Sequence, residues 1–140
     1  MMKIQFNVNF VIVGKKMMNK VIIVCTGGRD YNNANAVSRV LSNAKKIYGD
    51  QLTVFVGDAP GLDKMVFDYC GENDIYTAQF FANWKQHKNA AGPIRNIGMV
   101  NSALNESDKV IGISFPGGNG TKHCTEYMLS KGIKVHIVKE

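Results

Sequence analysis

From Val21 onward the chain alternates short apolar runs with longer segments whose apolar residues recur every three or four positions. VIIVC, at 21–25, is continuous and β-branched, the pattern of a strand buried on both faces. Residues 33–48 carry Ala36, Val37, Val40, Leu41, Ala44 and Ile47 at helical spacing. LTVFVG predicts a second buried strand. DAPGLD then turns into a helix reaching about Cys70, with Leu62, Met65, Val66 and Tyr69 on one side. IYTAQFFA reads as a third strand and NWKQHKN as a polar loop. AAGPIRNIGMVNSAL reads as a helix that tolerates Pro93 only in its first turn. KVIGISF is a fourth strand, followed by a helix from about Thr121 to Ser130. Gly132 stands where a helix C-cap glycine belongs, and KVHIV closes as a fifth strand.

Strands that alternate with helices predict a parallel sheet covered on both faces and joined by right-handed crossovers. The expected fold is an α/β, Rossmann-like three-layer sandwich with a mainly parallel sheet in the order 3-2-1-4-5. The N-terminal stretch KIQFNVNFVIVG alternates with period two, placing Ile4, Phe6, Val8 and Phe10 on one face. Residues 1–17 are therefore either an added edge strand or upstream sequence, with Met17 or Met18 as the start; the two readings weigh equally. A length of 140 residues fits one domain spanning 1–140. No repeat, low-complexity stretch or linker interrupts it.

Composition narrows the partners. The net charge of +6 favours anionic ligands or simply solubility, and the lysines are scattered rather than clustered. Cys25, Cys70 and Cys124 lack metal-ligand spacing, so no metal is expected, and Cys25 reads as a small core residue. Neither a cleavable leader nor a membrane span is read from the sequence, which makes the cytoplasm the expected location.

Two glycine-rich loops leave strand ends: TGGRD after the first buried strand and PGGNGT after the fourth. In the order 3-2-1-4-5 those strands are neighbours at the point where strand order reverses, and ligands of open α/β sheets bind there. Gly27, Gly28, Gly117, Gly118 and Gly120 let backbone N–H groups approach a phosphate. Thr121 would open the following helix, whose free N–H groups and dipole favour an anion. Its hydroxyl would cap that helix or meet a phosphate oxygen. The alternative is that the glycines only make tight turns, and two such loops on facing strands favour phosphate. Neither loop is a Walker A motif or a G-x-G-x-x-G fingerprint, so NAD-dehydrogenase binding is not expected, and no cofactor is.

The stretches TGGRDY, GDAPGLD, AGPIRNIGM and FPGGNGT, in that order, resemble the YspA/YpsA-related branch of the SLOG superfamily from about Val21 to Val138. That superfamily also holds the LOG phosphoribohydrolases and the DprA/Smf DNA-processing proteins. The resemblance implies a Rossmann-like fold and a pocket for a nucleotide or nucleotide-derived ligand. It implies a frequent homo-oligomer. It points to Gly57, Gly61, Pro116 and Asn119 as pocket residues beside the glycines above. Arg95 corresponds to an arginine facing the PGG loop in LOG enzymes, and a guanidinium forks onto phosphate or carboxylate. Arg29 could reach a phosphate and Asp30 a ribose hydroxyl, though a turn ion pair explains them nearly as well. Asp63 is a candidate pocket or catalytic carboxylate, or it hydrogen-bonds within its own loop. Asn96 would meet a base or ribose. Trp84 could stack on a base, but covering the sheet edge is the favoured reading. His87 and His123 read as surface residues, and His136 as a strand residue.

Two departures from the family pattern stand out, the first against catalysis and the second in local loop geometry. LOG enzymes carry a catalytic glutamate three residues after the threonine, where Cys124 stands here. Glu126, two residues further on, points roughly 200° away around the helix. Glycosidic cleavage needs a carboxylate, which only Asp30, Asp58 or Asp63 could then supply. Lys88-Asn89 also replaces a common Gly-Lys. Three readings follow. The first is a nucleotide-binding sensor or sponge for an ADP-ribose-like or cyclic nucleotide ligand. The second is a nucleotide N-glycosidase with Arg95 and Asp63 as candidate catalytic residues. The third, ranked last, is a DprA-like nucleic-acid binder.

Overall fold

A computed structural model of the chain describes residues 20–140. The expectation for residues 1–17 lies outside them. Five strands form one parallel sheet: β1 (Val21–Thr26), β2 (Leu52–Val56), β3 (Tyr76–Gln79), β4 (Lys109–Ser114) and β5 (Lys134–Ile137). Their order is β3-β2-β1-β4-β5, as the sequence predicts. The central β1 is wholly buried, which is why VIIVC shows no polar alternation.

Helices α1 (Ala34–Tyr48) and α2 (Leu62–Glu72) join β1 to β2 and β2 to β3. They cover one face with Val37, Leu41, Leu62 and Val66 packed on Ile23, Val54 and Val56. Helices α4 (Ala91–Glu106) and α5 (Asn119–Ser130) cover the other, where Met99, Val100, Cys124 and Met128 meet Ile22, Val24 and Phe55. Pro93 is the third residue of α4, where its missing N–H costs no helical bond. Gly132 has φ 80°, and the Ile133 N–H reaches back 3.1 Å to the Met128 carbonyl, closing α5 in a Schellman-type cap.

Three boundaries differ from expectation. NWKQHKN is not a loop: Trp84–His87 form a helical turn, α3, followed by a 3-10 turn at Lys88–Ala90. The cause is a local cap, since the Asn83 Oδ1 accepts from the Gln86 N–H at 3.1 Å. β3 stops at Gln79 because Ala82 donates its N–H to Asp58 Oδ1 at 3.2 Å, drawing the chain across the strand ends. Helix α5 starts at Asn119, two residues before Thr121, with Gly118 as its cap residue. Thr121 therefore lies inside the first turn and is not the cap.

The Lys88 departure has a backbone counterpart. Lys88 holds φ 53° and ψ −130°. Gly49 (φ 57°, ψ −133°) and Gly61 (φ 78°, ψ −123°) adopt the same conformation. A β-carbon is strained there, at a cost of about 1–3 kcal/mol. Lys88→Gly is expected to stabilise the protein by about 1 kcal/mol after glycine's entropic cost. This would raise the thermal midpoint by roughly 4 °C. An unchanged or lower midpoint would contradict this account of the turn.

Candidate functional site

Because β1 and β4 run side by side, with Thr26 opposite Ser114, their following loops leave the sheet together. They are tied directly: the Gly28 N–H donates to the Pro116 carbonyl at 2.9 Å. The Gly28 carbonyl in turn accepts from the Leu62 N–H at 3.0 Å, which holds the TGGRD loop against the start of α2. The loops open on a crevice of about 910 Å³. A volume of that size lies within the range of small-molecule sites.

The predicted site residues separate into two groups. Gly27, Gly28, Arg29, Asp30, Asp63, Arg95, Asn96, Gly118, Asn119, Gly120 and Thr121 line the crevice. Gly57, Gly61, Pro116 and Gly117 do not line it and shape it from behind. A β-carbon on Gly57 would lie 2.6 Å from Arg95 Nη1 and 2.7 Å from Asp63 Oδ2, so its bare backbone lets those two groups converge above β2. Gly61, at positive φ, backs directly onto the Gly28–Arg29 backbone. On Gly117 a β-carbon would collide with Thr121 Oγ1 and come within 2.7 Å of the Gly28 nitrogen. The three are glycines because loop backbones meet there. Gly118 and Gly120 differ, since a β-carbon on either meets open space.

Helix α5 points its first turn at this crevice. No side chain caps Gly118, and no acidic residue occupies the first turn. An anion would satisfy the N–H groups of that turn and meet the positive end of the helix dipole.

Arg95 is not a solvated surface arginine. Its side chain is 7% exposed and ion-paired through Nη1 to Asp58. Nε donates to Asn96 Oδ1 at 2.7 Å and Nη1 to the Phe80 carbonyl at 3.4 Å. Much of its donor set is thus committed to the protein, and Asn96 serves first as its partner. Asp63 does what its local alternative requires: Oδ2 accepts from the Ala59 N–H at 3.0 Å. Burial pushes the Asp63 carboxyl up to about 6, against the opposing pull of the Ala59 N–H and the Arg95 guanidinium.

That shift has a defined sign. An acid whose folded value exceeds its unfolded one holds its proton better when folded. Its contribution is therefore full below about pH 4 and is lost as pH rises through about 6. The whole effect is on the order of 3 kcal/mol at most. Asp63→Asn keeps the acceptor for Ala59 and removes the charge. It is expected to flatten the decline in stability between about pH 4 and 6 and to be at least as stable as the parent at pH 7.5, by denaturant unfolding across a pH series. A variant with the parent's slope would assign that decline to another group.

Cys124, which the sequence resemblance sets against the LOG carboxylate, is fully buried in the second core. Burial lifts its thiol to about 11, so it is neither a nucleophile nor an acid near neutrality. Glu126 is exposed on the far side of α5. The carboxylates lining the crevice are Asp30 and Asp63. Among the described residues no ion pair joins Arg29 to Asp30. Instead the Arg29 guanidinium lies 5.8 Å above the Trp84 ring centroid. Trp84 lines the crevice, as the stacking alternative requires. His123 lies on the crevice wall as an exposed residue, and His136 is exposed on β5. Among the described residues no group of three His, Cys, Asp or Glu side chains could hold a metal ion. No helix among them is long and apolar enough to cross a membrane.

The chain is similar to a solved structure, DNA processing protein A (DprA) from Streptococcus pneumoniae, with 14% sequence identity and a TM-score of 0.47. The match covers 86% of this chain and 60% of that one, so the chain spans about three fifths of its neighbour's length. No curated protein matches the sequence. AGPIRNIGM and FPGGNGT lie beyond the part of the chain that a family model matches, but TGGRDY and GDAPGLD lie inside it. That part is residues 21–87, the model is YAcAr, the YspA, cpYpsA-related SLOG family, and the resemblance read from the motifs is borne out over this stretch.

Proposed function

We propose that the protein binds a small nucleotide or nucleotide-derived ligand, ADP-ribose-like or cyclic, in the crevice between the two glycine loops, as a sensor or sponge. The observation that carries this reading is the pairing of the loops at the strand-order reversal, where Gly28 is tied to Pro116 and α5 opens uncapped on the same space. A phosphate would take the α5 end, and Asp30 and Asn96 offer hydrogen-bonding groups for the sugar or base. Binding without cleavage is favoured because a buried thiol stands where the related hydrolases place their carboxylate.

A second reading, N-glycosidic hydrolysis, draws on one observation. Asp63 is a crevice carboxyl that titrates near the pH at which a general acid works, about 6. The deciding experiment is thermal shift with AMP, ADP-ribose, NAD and cyclic di- and trinucleotides, with mass spectrometry of the same mixtures. Stabilisation with every ligand recovered intact supports the binding reading. Free base or ribose phosphate, lost in Asp63→Asn, establishes the hydrolase. If neither appears and the protein instead binds DNA or RNA with a steep salt dependence, the nucleic-acid reading replaces both.

A further inference from the structure

We propose that Trp84 is the nucleobase platform of this crevice, so that the ligand taken is one with an intact aromatic base rather than a bare sugar phosphate. The inference rests on the nucleotide reading above and adds the ligand group that the crevice selects.

Tryptophan is highly buried on average. Trp84 is 46% exposed and belongs to neither buried cluster. It is held in place by its neighbours. Asn83 caps the short α3 turn that carries it. The far edge of the ring lies beside Gly92, where a β-carbon would make an ordinary van der Waals contact, 3.7 Å from Trp84 Cη2. Trp84 thus stands beside the first turn of α4 and lines the crevice with Gly92.

Arg29 approaches from the other side of the sheet switch, out of the TGGRD loop after β1. Its guanidinium sits 5.8 Å from the ring centroid, a cation–π contact between two exposed side chains. Arg29 and Trp84 thus meet across the crevice from different strands. A planar base presents a π face to both: the indole stacks on one side, and the exposed guanidinium shifts to the other or to a phosphate. Asp30, next to Arg29 and also on the crevice, is placed for the hydroxyls of a ribose attached to that base. The loop 117–121 takes the phosphate at the remaining side. A sugar phosphate alone would fill the phosphate and ribose positions and leave the ring unused.

The test uses the full chain, in which Trp84 is the only tryptophan. Its fluorescence therefore reports this one ring. AMP, ADP-ribose and ribose 5-phosphate are titrated in turn, each also by calorimetry. The expected result is saturable quenching or shift with AMP or ADP-ribose and none with ribose 5-phosphate. Trp84→Ala should weaken the base-bearing ligand about tenfold or more and leave ribose 5-phosphate unchanged, and Trp84→Phe should recover most of the loss. Calorimetric binding of AMP or ADP-ribose with an unmoved Trp84 signal overturns the platform and leaves the nucleotide reading standing. Undiminished affinity in Trp84→Ala does the same. No binding of either nucleotide, nor of NAD or the cyclic di- and trinucleotides titrated in the same way, removes the nucleotide reading, and the platform with it.

Discussion

Arg95→Ala is expected to lower the thermal midpoint by 10 °C or more. The guanidinium is 7% exposed and its partner Asp58 22% exposed. Removing the cation leaves Asp58 and the buried Asp63 facing one another with less compensation. Asp58 would keep the Ala82 N–H and Asp63 the Ala59 N–H, but neither donor carries a full charge. Breaking one partner of a buried pair costs about 3–5 kcal/mol. At roughly 3–4 °C per kcal/mol for a chain of this size, the shift is large. The loss must also depend on pH. Without Arg95 the Asp63 carboxyl rises further, so the deficit is greatest where Asp63 is ionised and shrinks towards about pH 4, where that carboxyl holds its proton. Melting curves at about pH 4.5 and 7.5 separate this from a simple packing loss, which would be equal at both. Arg95→Lys should recover only part, since an ammonium cannot serve Asp58, Asn96 and the Phe80 carbonyl from the same fork.

The same pair shows where sequence reading reaches its limit. Asp58 and Arg95 are 37 residues apart and meet only because β2 and α4 end on one side of the sheet. No local spacing encodes that contact, so Arg95 is legible as a basic pocket residue but not as one already tied to the protein. The strand order was legible for the opposite reason. Continuous apolar runs mark buried parallel strands, and two glycine loops on strands one and four make sense together only if those strands are adjacent. Helix starts were less legible. Asn119 and Gly120 are weak helix formers, which displaces the expected start to Thr121, and the Asn83 cap that organises α3 lies in a segment with no apolar period. Gly57, Gly61 and Gly117 look from sequence like the ligand-facing glycines. Only the folded backbone separates these spacers from Gly118 and Gly120, which face open space.

That separation sets up the sharpest test of the site. Gly118→Leu is expected to leave the fold intact and to weaken nucleotide binding by about 100-fold or more. The fold should survive because φ at Gly118 is −98°, which an L-residue adopts, and because a β-carbon there meets nothing within 4 Å. Substitutions of that kind usually stay within about 0.5 kcal/mol, or roughly 2 °C. Binding should fail because Gly118 lines the crevice at the cap of α5, where an isobutyl group would occupy the space above the first-turn N–H groups. Each hydrogen bond to a charged group contributes about 1.5–3 kcal/mol, so losing two amounts to at least about 100-fold. Gly117→Ala is the contrasting variant, since its β-carbon runs into Thr121 and the Gly28 backbone and should lower the midpoint before any ligand is added. A Gly118→Leu protein that melts normally and still binds AMP or ADP-ribose at parental affinity would move the ligand away from the α5 terminus. A normal melt with nucleotide binding lost and any nucleic-acid binding unchanged would place the two activities on different surfaces, because the +6 charge is spread along the chain rather than gathered at this loop.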